Sequence, residues 1–341
     1  MITTDTMAAA HTSARLSSRF DAIDSAKGIG IVLVVFGHAW RGAMGAGLIS
    51  DVKLFALIDS AIYAFHMPLF FFLSGLLFLE GLQKYKTSVL LRGKVTRLLW
   101  PMALWTWLFF SLKIFAGTAA NTPVDWIDFP FIPLPPFEHL WFLWALFLCQ
   151  SILVLGYTCV PRNVTTLTLR RSAAVGAVVL AAFSSVIYVP SLIWGPMIEH
   201  VPYFLAGIAA GGLFAVRSPL WLGSVCAIGF AILLMGVQGS KATVIHSLAL
   251  LALGWAGWLC LDGVVARAGR SLGVLCYLGQ TSMVIYLTHT TFSAAVRIAM
   301  LWLGFDGAGG VVLMTVLAGL TLPLSVLWMA RRLQLVKLLG F

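Results

Sequence analysis

The sequence predicts an all-α, polytopic membrane protein with about ten transmembrane helices. Of its 341 residues, 60% are hydrophobic and 10% are charged, and the mean hydropathy is +0.98. The apolar residues form ten segments of about the length that crosses a hydrocarbon core of roughly 30 Å. This composition excludes a soluble enzyme built around one large core, and it predicts the lipid bilayer as the surroundings of the chain.

The ten predicted helices form one membrane domain, residues 24–331. Residues 1–23 are polar and small and lack the apolar core of a signal peptide, so we expect a cytoplasmic tail there. Residues 332–341 are expected to form a second cytoplasmic tail. The predicted helices cover approximately residues 28–49, 54–79, 98–116, 139–160, 172–189, 196–216, 219–237, 243–261, 271–303 and 310–330.

The basic residues predict the orientation of these helices. The net charge is +10, and most of the 22 Lys and Arg residues fall in every second connection between the apolar segments. Cytoplasmic connections carry such an excess, so both termini are expected in the cytoplasm and the protein in the cytoplasmic (inner) membrane. The acidic loop 117–138 then lies on the opposite side. The same clustering argues against nucleic acid as a partner.

Cysteine usage adds no further site. The five cysteines lie in or beside apolar segments, and none are spaced as C-x-x-C or as metal ligands. They predict neither disulfides nor a metal site, and no metal cofactor is expected.

The first helix carries an ionisable residue at depth. His38 lies in the apolar run that follows the capping candidates Asp24 and Ser25, and we expect it roughly half-way across the membrane. Lys27 precedes it by eleven residues, which places both on one helix face about 16 Å apart. An ionisable residue in a membrane helix is a functional candidate by default. The alternative is a histidine that only hydrogen-bonds a neighbouring helix.

Two further helices carry polar residues among apolar ones. In the second helix, Pro68 is expected to cause a kink, with His66 beside it. In the ninth, a polar stripe recurs at intervals of three or four and so shares one face. It could line a transport path, line a reaction cavity or form a hydrogen-bonded helix interface. Its members are Ser282, Tyr286, His289, Ser293 and Arg297.

Five motifs, in order along the chain, resemble the integral-membrane acyltransferase-3 family. The second resembles the branch related to fucose 4-O-acetylases. The other four match signatures of the first, third, fourth and ninth helices. The motifs are Asp24-x-x-Lys-Gly-Ile-x-Ile-x-x-Val-x-x-Gly-His38, Phe65-His-Met-Pro-Leu-Phe-Phe-Phe-Leu-Ser-Gly75, Lys94-x-x-Arg-Leu-Leu-x-Pro101, His139-Leu-Trp-Phe-Leu143 and Tyr277-Leu-Gly-x-x-Ser-x-x-Ile-Tyr-Leu-x-His289.

The resemblance implies transfer of an acyl group, usually acetyl from acetyl-CoA, to a hydroxyl of a carbohydrate or glycolipid. It makes His38 the essential histidine and matches Lys27, Lys94 and Arg97 to basic positions on the CoA side. The fourth-helix glutamate of many polysaccharide acylases is absent, with Leu146 in its place, and no catalytic acid is carried over to Glu138. Residues expected to contact the acceptor or line its cavity are His66, Ser74, Trp141, Tyr286 and His289.

The chemistry of the residues agrees with that function. Transfer from a thioester to an alcohol needs a base, and a neutral imidazole suits the task. The phosphates of CoA suit Lys94 and Arg97, which are three residues apart on a shared helix face, although the same charges also fit topology markers. The competing class is a proton-coupled transporter or flippase that uses His38, His66 and His289 as a relay. The sequence carries no signal for an oligomeric state.

Overall fold

The computed structural model describes residues 3–211, 220–236, 243–267 and 272–341. In these residues the protein is all-helical, as predicted, with fourteen α-helices and no strand. In chain order the helices are α1 (Thr3–Gly45), α2 (Val52–Tyr63), α3 (His66–Leu76), α4 (Phe78–Lys84), α5 (Thr87–Lys94), α6 (Trp100–Ala116), α7 (Trp141–Tyr157), α8 (Thr166–Val186), α9 (Gly195–Ala210), α10 (Leu220–Met235), α11 (Val244–Arg267), α12 (Gly273–Gln280), α13 (Ser282–Trp302) and α14 (Ala308–Arg332).

Eight helical stretches of the described chain are long and apolar enough to cross a membrane, so the protein is a multi-pass membrane protein. Two of the ten predicted spans are not among them. These correspond to α9 and α10, which have 16 residues each and lie on either side of residues 212–219, outside the described part. The eight stretches are Asp21–Gly45, Val52–Lys84, Thr87–Ala119, Glu138–Tyr157, Thr166–Val186, Val244–Val265, Ser282–Trp302 and Ala308–Arg332.

Helix α1 begins and ends earlier than the sequence predicts. Asp24 and Ser25 are not caps but lie within the helix, where the Ser25 hydroxyl donates to the Ala22 carbonyl at 3.1 Å. The helix ends at Gly45, and Gly47 follows with a φ of +74°. At 1.5 Å per residue, His38 lies about 25 Å from Asp21 and about 10 Å from Gly45. His38 therefore lies past the middle of the apolar stretch Asp21–Gly45, nearer to its Gly45 end than to its Asp21 end.

The second predicted span is broken, but not by its proline. The chain leaves the helical path at Ala64 and Phe65, between α2 and α3. Pro68 is the third residue of α3, in the first turn, where an N–H would have no acceptor within the helix. His66 is the first residue of α3, so the expectation that it lies at the break is correct.

Two other predicted helices are also interrupted. The third begins at Thr87 and contains a π-helical turn, Val95–Leu99, between α5 and α6. Lys94 is the last residue of α5 and Arg97 lies in the π turn, so the two do not share the face of one regular α-helix. The ninth is divided at Thr281 into α12 and α13.

Close glycine contacts hold the centre of the bundle together. Helices α3 and α9 approach so closely that a Cβ atom on Gly75 would lie 2.1 Å from the Phe204 carbonyl oxygen. A Cβ on Gly207 would lie 2.0 Å from the Phe72 carbonyl oxygen, and one on Gly211 would lie 2.6 Å from that of Leu76. The Gly207-x-x-x-Gly211 spacing therefore serves the close packing of α9 on α3.

Candidate active site

Three histidines from different parts of the chain meet inside the bundle. His38 is on α1, His139 lies in the short 3-10 helix before α7, and His289 is on α13. Their ring centroids are 5.6 Å apart for His38 and His139, 5.1 Å for His38 and His289, and 5.4 Å for His139 and His289. We call this group the histidine cluster.

Backbone contacts fix the tautomer of one member of the cluster. The Nδ1 atom of His289 lies 2.9 Å from the carbonyl oxygens of both Ile285 and Tyr286. A carbonyl oxygen only accepts, so Nδ1 carries the proton and the lone pair is on Nε2. This Nε2 is buried and has no hydrogen-bond partner among the described residues. His289 therefore presents an unused acceptor.

Sequence reasoning assigned His139 no role beyond its place in the motif His139-Leu-Trp-Phe-Leu143, and the structure places it in the cluster. Both of its ring nitrogens are buried without a hydrogen-bond partner in the described chain. Its backbone carbonyl accepts a short hydrogen bond from the hydroxyl of Tyr286, which ties α13 to the start of α7. The same tyrosine belongs to the polar stripe of the ninth predicted helix, so this stripe faces protein and cavity, as expected.

A central cavity of about 330 Å³ lies against the cluster. His38, His139 and Tyr286 line one part of it, and His66 and Trp141 line another. Its volume falls at the lower end of the range for small-molecule sites. Of the five residues expected to line a substrate cavity, His66, Trp141 and Tyr286 do so here. His289 contacts the ring of His38, and Ser74 lies two turns farther along α3.

Two side cavities adjoin the central one. The acidic side cavity, about 470 Å³, is lined by Asp59 and Glu199 and shares Arg41, Tyr63, Met67 and Trp141 with the central cavity. The basic side cavity, about 430 Å³, is lined by Lys113 and Arg297 and shares His38, Arg41 and Glu138 with it. His38 thus lines the central and the basic cavity, and Arg41 lines all three. Ser74 lines none of the three.

Arg41 is held in place at this junction. Its Nε lies 2.6 Å and its Nη2 2.8 Å from the two carboxylate oxygens of Asp59, which is the bidentate geometry of strong arginine pairs. The guanidinium also lies 3.4 Å above the centroid of the Tyr63 ring. These contacts join α1 to α2 one turn beyond His38.

Glu138 is the carboxylate that lines two cavities together with His38. It forms an ion pair with Lys113 of α6, and its φ is +45°, an uncommon value for a residue other than glycine. The sequence placed it just outside the fourth helix and gave it no role. Only its position directly before His139 could have drawn attention to it.

The predicted CoA-side residues lie away from the histidine cluster. Lys27 pairs with Asp24 at 3.1 Å, about 16 Å along α1 from His38. Lys94 is partly exposed and Arg97 is exposed. The three cavities are lined by none of these cations. Within the described chain, no group of three or more His, Cys, Asp or Glu residues is arranged to hold a metal ion.

The remaining histidines have separate positions. His66 donates from Nδ1 to the Ile62 carbonyl at 2.7 Å, and His200 donates likewise to Pro196 at 2.8 Å. His200 lines the acidic side cavity, with its ring centroid 5.0 Å from that of Trp141. His246 contacts the Leu233 carbonyl at 2.7 Å and so joins α11 to α10.

The helical membrane fold encloses a polar interior, and comparison with known proteins names the family of the protein. The model of the acyltransferase domain of the acyltransferase-3 family matches residues 20–330, nearly the whole chain. The chain belongs to this family. This membership favours an acyltransferase over the transporter or flippase that the sequence left open.

One curated relative gives a partial match. The chain is 31% identical over 127 residues to nodulation protein NolL of Mesorhizobium japonicum. The match covers 37% of this chain and 32% of that protein, so the chain spans about a third of its relative's length. No solved structure matches the chain.

Proposed function

We propose that this acyltransferase moves an acetyl group from acetyl-CoA to a hydroxyl of a carbohydrate or lipid-linked sugar, with His38 as the general base. The observation that supports this best is the position of His38 at the meeting of the central and basic cavities, in contact with two other imidazoles. The second-helix motif favours the branch of the family that resembles fucose 4-O-acetylases.

The reaction follows from the chemistry of the thioester. His38 accepts the hydroxyl proton of the acceptor as its oxygen attacks the acetyl carbonyl carbon. The bond between that carbon and the CoA sulfur then breaks, and the imidazolium returns the proton to the leaving thiolate. His289 and His139, whose lone pairs are free, are suited to orient the imidazole of His38 or the attacking hydroxyl.

In this proposal the donor approaches from the Asp21 side of the apolar stretch Asp21–Gly45. Lys27, Lys94 and Arg97 bind the phosphates of CoA at the cytoplasmic surface, and the extended arm bridges the roughly 16 Å to His38. Ile31 and Val35, which lie between Lys27 and His38, are fully buried. The helices around them therefore separate when the donor binds.

Labelled acetyl-CoA tests the proposed function. Purified protein in detergent or nanodiscs is incubated with the labelled donor, with and without a panel of sugars and lipid-linked sugars. We expect release of free CoA and a labelled product, both dependent on an acceptor hydroxyl. Turnover of other acyl donors without turnover of acetyl-CoA would contradict the choice of donor. Labelling of amines but not of hydroxyls would contradict the choice of acceptor.

A further inference from the structure

Arg297 is a buried cation without a counter-charge. It lies near the end of α13 and is only 7% exposed, yet it lines the basic side cavity. Its Nη2 donates to the Oδ1 of Asn121 at 3.1 Å. No described carboxylate lies within ion-pair distance of its guanidinium.

Unlike Arg297, the neighbouring cations each form an ion pair with a carboxylate. Arg41 is paired with Asp59, and Lys113 is paired with Glu138. A buried guanidinium that lacks such a partner is unfavourable for folding, because its desolvation is only partly compensated by one neutral amide. Retaining a charge of this kind inside a membrane domain is typical of a binding site.

The position of Arg297 relates it to the reacting centre. A Cβ atom on Gly42 would lie 2.2 Å from Nη1 of Arg297, so the absence of a side chain at Gly42 lets the guanidinium lie against α1. Gly42 is one turn, about 6 Å, from His38. Because His38 and Arg297 line the same cavity, one molecule in it can touch both.

We propose that Arg297 binds an anionic group of the acceptor, so that the preferred acceptor is a sugar carrying a carboxylate or a phosphate. A guanidinium binds either anion through two parallel hydrogen bonds. The inference rests on the proposed function and narrows its acceptor class. The phosphates of CoA are a poor alternative, because Gly42 lies about 22 Å along α1 from Lys27, where they are proposed to bind.

The test compares three acceptors of similar size: glucose, glucuronic acid and glucose 1-phosphate. For each, acetyl transfer is measured with the unmodified protein, Arg297→Gln, Arg297→Lys and the control Arg332→Gln, which changes an exposed arginine at the end of α14. We expect the unmodified protein and the control to prefer one or both anionic acceptors. Arg297→Gln should raise their KM at least tenfold, and Arg297→Lys should restore part of the loss.

The KM for acetyl-CoA and the rate with glucose should stay the same in Arg297→Gln. An equal loss with neutral and anionic acceptors, or a raised KM for acetyl-CoA, would overturn the inference. If Arg297→Gln does not fold, the unmodified protein still decides, because a preference for glucose over both anionic sugars contradicts the proposal. Comparing glucuronic acid with glucose 1-phosphate shows whether the anionic group that Arg297 binds is a carboxylate or a phosphate.

A binding measurement separates this inference from the proposed function. Thermal unfolding of the unmodified protein and Arg297→Gln is followed with glucuronic acid, glucose 1-phosphate and glucose, without a donor. Stabilisation by an anionic sugar that depends on Arg297 supports the site even if no acetyl transfer is found. Equal stabilisation of both proteins, or none in the unmodified protein, overturns it.

Discussion

His38 of α1 and His289 of α13 face each other with ring centroids 5.1 Å apart, although 250 residues separate them in the chain. The proton on Nδ1 of His289 points to two backbone carbonyls, which leaves Nε2 free to accept. A proton taken by His38, or a hydroxyl held next to it, therefore has a second imidazole within reach.

The first prediction concerns His289 as a positioning residue. His289→Ala should lower kcat for acetyl transfer by about tenfold to a hundredfold, less than loss of the general base itself. His246→Ala is the control, because His246 is also an intramembrane histidine but only joins α11 to α10. Both variants should bind CoA normally. Equal kcat values for the unmodified protein and a folded His289→Ala would show that this contact has no role in transfer.

The second prediction concerns the hydrogen bond from Tyr286 to the backbone of His139. Tyr286→Phe removes the donor and leaves a carbonyl in a buried segment without its partner, which typically costs about 1–3 kcal/mol of stability. Thermal unfolding should show a lower Tm. Tyr277→Phe, at an exposed position of α12, should not change it. Matching Tm values for the two variants would mean that the bond contributes nothing to stability.

Features set by residues that are close together in the sequence could be predicted. Contacts between segments that are far apart in the sequence could not. Local signals predicted the apolar helices, the break beside His66 and the shared face of Tyr286, His289 and Arg297. The meeting of His139 with His38 depends on how α1, α7 and α13 pack, and no periodicity within one helix contains that information. Glu138 was missed for a related reason, since its place in the cavities follows from a non-helical backbone before α7.

The early end of α1 shows a second limit of sequence reasoning. Residues 46–49 continue the apolar run, so hydropathy extends the helix to Ile49, whereas the backbone turns at Gly47 with a positive φ. Glycine adopts that conformation without strain. No glycine with a positive φ marks the break at Phe65. Pro68 predicted that this helix is interrupted, but not that the interruption is at Phe65. At the break, the ring of Phe65 packs against Phe230 of α10, a contact that lies outside the local sequence.

The third prediction concerns donor binding. Replacing Lys94 and Arg97 together by Gln should raise the KM for acetyl-CoA and leave the KM for the acceptor nearly unchanged, because these two cations are proposed to bind the phosphates of the donor, whereas Arg297 is proposed to bind the acceptor. Lys86→Gln with Arg92→Gln is the matched control, since it removes two charges from the same basic stretch. If both double variants have the same KM for acetyl-CoA, the charges of this stretch set the topology and do not bind the donor.

The fourth prediction concerns orientation in the membrane. A reporter fused after Phe341 or inserted near Arg170 should be cytoplasmic, and one near Asp125 should be external, because cytoplasmic connections carry the excess of Lys and Arg. Protease protection or a paired set of reporters measures this. An external C-terminus together with a cytoplasmic N-terminus would mean an odd number of spans and would contradict the ten-helix plan.

The central claim is that His38 is the base of the transfer reaction, and a single variant tests it most directly. Acetyl transfer by purified His38→Ala is compared with that of the unmodified protein at saturating acceptor, with CoA binding measured on the same samples. The account predicts a loss of roughly 10²–10⁴-fold in kcat. CoA binding should be retained, because the proposed phosphate contacts, Lys27, Lys94 and Arg97, do not include His38. A well-folded His38→Ala protein that transfers acetyl groups at a near-normal rate would contradict the account.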